Sequence, residues 1–233
     1  MRTVAATQRT SQPDRHGEVR EGLDVRWRVF LAACGLRLLP LPNDPGTALG
    51  LIAVANPAGI LLTGGGDLIE YGGTDLDRQR TEVSLLTYAT DTELPLLGVC
   101  RGMQLIQTAY GVPLTAVDGH RATRHHLSGA SHDAVPAPAR EVNSFHTLAA
   151  VGSRPPLQTL TMVGDVVESV RHLTRPVAGI MWHPEREPNP HPLDVALFRT
   201  HFGLDRARVG TRRDSPGPTG RVPVPPERSG WGR

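Results

Sequence analysis

The sequence predicts an α/β fold of three layers: a central, mostly parallel sheet, helices on both faces, and one sharp strand-to-helix turn that carries a cysteine. Three observations predict it. Short apolar runs alternate with stretches of helical spacing along most of the chain. Two of those runs, Gly59–Thr63 and Leu94–Val99, end directly in loops rich in glycine or carrying cysteine. The 233 residues, 39% hydrophobic and 21% charged, are enough for one sizeable core.

Thr3–Thr7, short, apolar and β-branched, predicts the first strand. Glu18–Cys34 carries Val19, Leu23, Trp27, Phe30 and Leu31 near helical spacing, and Gly35 stops it, so a helix is expected there. Leu36–Leu41 reads as a second strand and ends in the breakers Pro42-Asn43-Asp44-Pro45-Gly46. A short helix over Ala48–Ala55 leads to the buried strand Gly59–Thr63, which runs into Gly64-Gly65-Gly66-Asp67. Beyond Tyr71-Gly72-Gly73 come a helix over Gln79–Thr90, the strand Leu94–Val99, and a helix over Arg101–Tyr110 stopped by Gly111. Pro113–Arg140 shows no period and reads as irregular. Strands are expected at Glu141–His146, Gln158–Met162, Val166–Val170 and Val177–Trp182, and the last helix at Asp194–Phe202. Residues 1–203 then form one domain. Residues 204–233, rich in Pro, Gly and Arg, read as a disordered tail.

Composition excludes several classes. No apolar run approaches the roughly 18–20 residues of a membrane-spanning helix, and no signal-like apolar segment opens the chain. The two cysteines, Cys34 and Cys100, make no disulfide framework, which predicts a reducing, cytoplasmic setting. All 25 basic residues are arginine. From Asp205 onward seven arginines face three acids, a net of +4, so residues 1–204 carry −2 of the overall +2. The arginines do not cluster on one element, as a nucleic-acid footprint would, which argues against nucleic-acid binding.

The chemistry gathers at three strand ends. Gly98-Val99-Cys100-Arg101-Gly102 is the nucleophile-elbow pattern with cysteine as nucleophile, the glycines permitting a sharp turn. The helix that follows presents its positive N-terminus to Cys100 and favours a thiolate, and the Arg101 amide faces an oxyanion formed there. Cys34, at the end of an amphipathic helix, is read as core. Trp182-His183-Pro184-Glu185 ends a strand and supplies a base, His183, and an orienting carboxylate, Glu185. Thr63-Gly64-Gly65-Gly66 brings backbone amides close to a reacting atom. It lacks the spacing of a phosphate-binding loop.

Four histidines, His120, His125, His126 and His132, stand in the irregular stretch. A zinc site needs ligands on ordered elements, and no second cysteine lies near, so a substrate lid or plain surface is expected and no metal site. Asp165 and Glu168 read as parts of a hairpin turn rather than as substrate contacts.

Gly98–Gln104, Val142-Asn143-Ser144-Phe145-His146 and Gly179–Glu185, in this order, resemble the class I glutamine amidotransferase domains, and within them the stand-alone γ-glutamyl hydrolases of the peptidase C26 type. The resemblance implies a flavodoxin-like fold, a Cys100–His183–Glu185 triad, and an oxyanion hole from the amides of Gly65 and Arg101. It matches Gln104 to a residue touching the bound glutamyl group and Asn143, Ser144, Phe145 and His146 to the lining of its pocket. It implies hydrolysis of a γ-glutamyl amide in a small molecule, without cofactor. Gln8-Arg9, Arg20-Glu21, Leu41-Pro42-Asn43, Tyr71-Gly72-Gly73 and Gly119-His120 are similar to a narrower branch that acts on γ-glutamyl-CDP-amidate. For a phosphoramidate leaving group, Arg9, Arg26 and Arg101 are the candidate phosphate holders, with a surface ion pair the plainer reading of the first two. The alternative function is a glutaminase subunit passing ammonia to a synthase, a partner the hydrolase reading does not require. Two positions depart from the pattern: Gln79 after Arg78, in place of Asp, is expected to leave its helix short of a cap, and Gly66 stands where the narrower branch tends to have Asn.

Overall fold

The computed structural model describes residues 1–129 and 140–205. The elements follow as β1 (Arg2–Thr7), β2 (Arg9–Thr10), β3 (Glu21–Gly22), α1 (Arg26–Ala33), β4 (Leu36–Leu41), α2 (Pro45–Ala55) and β5 (Gly59–Leu62). A 3-10 turn at Ile69–Tyr71 precedes α3 (Leu76–Thr92), β6 (Leu96–Val99) and α4 (Arg101–Ala109). Then come β7 (Thr115–Ala116), β8 (Arg121–His126), β9 (Ser128–Gly129), β10 (Glu141–Phe145), β11 (Leu148–Ala149), β12 (Leu157–Val163) and β13 (Val166–His172). β14 (Val177–Ile180), a 3-10 turn at Pro184–Arg186 and α5 (Pro192–His201) complete the series.

Eight strands form the main sheet in the order β4-β1-β5-β6-β14-β13-β12-β9. Neighbours from β4 to β14 are parallel, and those from β14 to β9 antiparallel. All four residues of β5, β6 and β14 are buried, as expected of short apolar strands covered on both faces. Trp27, Phe30 and Leu31 of α1 pack with Phe198 of α5 on one face, where the Phe30 and Phe198 rings meet edge to face at 4.8 Å. Ile52, Leu85, Leu86, Leu105 and Ile106, from α2, α3 and α4, pack on the other. The three-layer architecture is therefore the expected one. None of the described helices is long and apolar enough to cross a membrane.

Beyond shifts of one or two residues at other element ends, four differences from the expected elements have a local reason. The helix expected from Glu18 begins at Arg26, because Glu21 and Gly22 pair with Thr10 and Arg9 and the Glu21 carboxylate accepts the Asn43 amide. α2 begins three residues earlier than expected: Asp44 caps it by accepting from Thr47 N, and Pro45 fills the first turn rather than breaking it. α3 is capped after all, by Asp75, whose carboxylate accepts the Arg78 amide. Gln79 accepts the Ile69 amide instead, at 2.8 Å. The stretch read as irregular contains β8, which pairs antiparallel with β10. At the C-terminal end Leu204 still packs on the core, and its amide reaches Arg199 O at 2.8 Å. Of the expected tail, residues 206–233 lie outside the described residues, as does His132.

Candidate active site

β5, β6 and β14 are neighbours in the sheet, and their carboxyl ends bring Thr63–Gly65, Cys100 and His183 to one edge. Cys100 caps α4 with φ 52° and ψ −106°, a left-handed conformation that costs a non-glycine residue energy. The strain sits on the cysteine itself, not on the glycines flanking it. Gly98 and Gly102 are needed for space: a Cβ on Gly98 would lie 2.5 Å from the Gly102 carbonyl, and one on Gly102 2.3 Å from Leu62 O. The spacing seen in the sequence thus reflects close packing of α4 on β5 and β6 more than freedom to turn.

The His183 Nδ1 lies 2.7 Å from Glu185 Oε1. His183 is 1% exposed and Glu185 4%. Burial works against a charged imidazole here, but the charge and hydrogen bond of Cys100, then those of Glu185, outweigh it and raise the His183 pKa to about 9. The charged imidazole is thereby held between the Cys100 sulfur and the Glu185 carboxylate. Gly64 leaves the room: a Cβ there would lie 2.6 Å from His183 Cε1 and 3.3 Å from the Cys100 Cβ. Gly65 (φ +92°) and Gly66 (φ +76°) continue the loop in conformations that suit glycine. Arg101 opens α4, so its amide has no acceptor within the helix.

Beneath the glycine loop lies a buried ionic network. Arg78, 1% exposed, donates to Thr63 O at 2.6 Å, Gly65 O at 2.8 Å and Gly64 O at 3.3 Å. It also pairs with Glu82 at 2.9 Å; Glu82 in turn binds Arg101 and accepts from Thr7 Oγ1 at 2.8 Å. Holding three successive carbonyls on one side fixes the peptide planes of the loop, and with them the directions of its amides. Sequence reasoning missed this role. The available signal was a charged pair at i and i+4 on the same face of α3 as Leu85, Leu86 and Ala89.

The other expected site residues divide. Phe145 is 40% exposed and its ring lies 5.7 Å from that of His183. Asn143 instead clamps His183: its Nδ2 donates to His183 O at 2.8 Å and its Oδ1 accepts from His183 N at 2.9 Å. Ser144 is fully buried and donates to His120 O, and His146 turns toward Glu168. Gln104, one turn into α4, donates to Leu148 O. Of the candidate phosphate holders, Arg101 is consumed by the buried network and Arg26 pairs with Asp24 at the surface. Arg9 lies along the Gly65 loop and lines a cavity of about 420 Å³ that also touches Thr63, Gly64, His183 and Glu185. Arg186, not among the candidate phosphate holders, lines the same cavity and stacks over Phe145 at 4.5 Å. The reading of the histidine stretch as loop or surface holds for exposed His126 but not for His120 and His125, which converge with His146 on Glu168. Asp165 stands in the β12–β13 turn as expected, while Glu168 lies on β13 and is fully buried.

Fold and site together define a glutamine amidotransferase-like hydrolase with its cysteine on a strand–helix elbow. The family model of Peptidase C26 matches residues 26–185, and the chain belongs to that family. It is 28% identical over 205 residues to the γ-glutamyl-CDP-amidate hydrolase of Campylobacter jejuni, covering 86% of this chain and 98% of that one. It is 30% identical over 204 residues to the carbamoyl phosphate synthase small chain of Parasynechococcus marenigrum, covering 80% of this chain but only 45% of that relative. A solved structure described as a putative GMP synthase subunit from Thermoplasma acidophilum superposes with a TM-score of 0.65 at 20% identity, over 88% of this chain and 94% of that one, and shows the shared fold.

Proposed function

We propose that the protein hydrolyses the γ-glutamyl amide bond of a small molecule whose leaving group is anionic, with γ-glutamyl-CDP-amidate or a related phosphoramidate as the substrate. The observation that carries the reading is the Cys100–His183–Glu185 alignment beside the Gly64–Gly65 loop. The Cys100 thiolate attacks the γ-carbonyl carbon, and the amides of Gly65 and Arg101 receive the oxyanion. The carbon–nitrogen bond breaks as His183 gives its proton to the departing nitrogen, leaving a glutamyl thioester on Cys100. Water, deprotonated by His183, attacks the thioester and releases glutamate and the free thiolate. Phe145 borders the acyl side, and Asn143 keeps His183 in place. Arg9 and Arg186, in the cavity next to His183, hold the phosphates of the leaving group.

The full-length match to a hydrolase of this substrate class supports the reading. The second reading, a glutaminase subunit working with a synthase, rests on the similarity to carbamoyl phosphate synthase small chains, of which this chain spans under half. One comparison separates them. Glutamate release from γ-glutamyl-CDP-amidate and from glutamine is measured on the isolated protein, for wild type and Cys100→Ser. The expected result is turnover of the amidate with kcat/KM at least about 100-fold above glutamine, a discrimination in the range that charge-assisted contacts in the cavity supply, and its loss in Cys100→Ser. Turnover of glutamine alone, rising when a synthase is added, would establish the second reading.

A further inference from the structure

We propose that His120, His125 and Glu168 form a binding site for one divalent first-row transition-metal ion, a site separate from the Cys100 cleft. His120 Nδ1, His125 Nε2 and a Glu168 carboxylate oxygen all lie within 4.8 Å of one another. The Glu168 Oε1 is 3.2 Å from His120 Nδ1, 3.5 Å from His125 Nε2 and 3.3 Å from His146 Nε2. Ligands held at about 2.0–2.2 Å around a tetrahedral ion stand about 3.3 Å apart, so the carboxylate already keeps the required distance from each imidazole.

Hydrogen bonding does not account for the cluster. None of the three contacts meets hydrogen-bond geometry, and His120 Nδ1, His125 Nε2, both ring nitrogens of His146 and both Glu168 oxygens have no hydrogen-bond partner. The Glu168 side chain is fully buried, that of His120 8% exposed and that of His146 1%. Buried polar atoms of this kind are normally paired. His120 Nδ1, His125 Nε2 and a Glu168 oxygen, three such atoms within 4.8 Å of one another, are explained together by an ion bound among them. Two imidazoles and a carboxylate suit Zn²⁺ or Fe²⁺, with His146 as the further group in reach.

The ligands come from ordered elements: His120 just before β8, His125 within it, and Glu168 on β13 of the main sheet. A bound ion therefore pins the β8–β10 pair onto the sheet. That pair carries Asn143, which clamps His183, and Phe145, which faces it. The site is a positioning device for the cleft and takes no part in the chemistry at sulfur.

The test uses the tag-free full-length protein, stripped with chelator and then dialysed against Zn²⁺ or, without oxygen, Fe²⁺, with bound metal counted by mass spectrometry. About one equivalent per chain is expected in wild type and in Cys100→Ala, falling below about a tenth in His125→Ala and Glu168→Gln. Less than a tenth of an equivalent in wild type overturns the proposal. So does binding lost in Cys100→Ala and kept in His125→Ala, which assigns the metal to the thiol. Because a variant at fully buried Glu168 risks misfolding, the wild type is also loaded with Co²⁺. Visible d–d bands without a sulfur-to-metal charge-transfer band are expected, and a charge-transfer band contradicts the assignment.

Discussion

Beneath the parallel half of the sheet, Arg78, Glu82, Thr7 and Thr63 meet in a network in which each group has a named partner at hydrogen-bond distance. In the antiparallel half, His120, His125, His146 and Glu168 meet just as closely without meeting hydrogen-bond geometry. Both clusters are buried, both lie one step from the cleft, and both would be costly with a charge left unpaired. In the first, every group that holds the glycine loop has its partner within the protein, and one Arg101 guanidinium nitrogen alone is left without one. The second is complete only with something added. Burial of polar groups near a reactive cysteine thus takes two forms here, a finished scaffold and a socket, and the geometry of the partners tells them apart.

If the first cluster is a finished scaffold, breaking it costs stability as well as rate. Arg78→Met removes one ion-pair partner of Glu82 and leaves three loop carbonyls without their donor. A loss of about 3–5 kcal/mol is expected in denaturant titration, with a fall in kcat in whatever remains folded. A change below about 1 kcal/mol would mean that the loop holds its shape without Arg78.

A smaller effect tests the position of the imidazole. Gly64→Ala puts a methyl against His183 Cε1 in a backbone conformation that alanine accepts. The expected outcome is a fall of about 100-fold in kcat with a loss of stability of about 1–3 kcal/mol, smaller than that of Arg78→Met. Equal activity in the two proteins would show that the imidazole does not occupy this place during turnover.

The smallest effect is a shift along the pH axis. With its pKa raised to about 9 in the folded protein, His183 contributes stability that is fully present below the unfolded value of about 6.5 and is lost as pH rises through 9. The same titration removes the proton needed by the leaving group, so kcat/KM falls on an alkaline limb near pH 9. Glu185→Gln removes one cause of the rise, and both the limb and the loss of stability then move to lower pH. A limb that stays in place assigns it to another group.

The parallel half was legible because its signals are local. The expected strands Gly59–Thr63, Leu94–Val99 and Val177–Trp182 form over Gly59–Leu62, Leu96–Val99 and Val177–Ile180, and each delivers a site segment at its end. Cys100, His183 and Glu185 could be named from their place after those strands. The rest depended on contacts distant in sequence. β8 (RATRHH) is polar, its strand character coming from pairing with β10 rather than from its own pattern. Asn143 and His146 lie three residues apart on one stretch of chain, yet one clamps a histidine backbone and the other faces a glutamate, a division set by the alternation of side chains and by what lies across from them. Arg186 gains its place by stacking on Phe145, far earlier in the chain. Glu21–Gly22 was expected in a helix because Val19 and Leu23 fit the helical period, but pairing with β2 prevailed.

The central claim, that Cys100 is a nucleophile facing a γ-glutamyl pocket, is tested most directly by mass spectrometry after exposure to 6-diazo-5-oxo-norleucine, a glutamine-like electrophile. A single adduct on Cys100 is expected in wild type, none in Cys100→Ala, and protection by γ-glutamyl substrate. Cys34, buried in the core with its thiol pKa pushed up to about 12, should remain unmodified in both proteins. An unlabelled Cys100 in the folded protein, or labelling that substrate does not suppress, would contradict the claim.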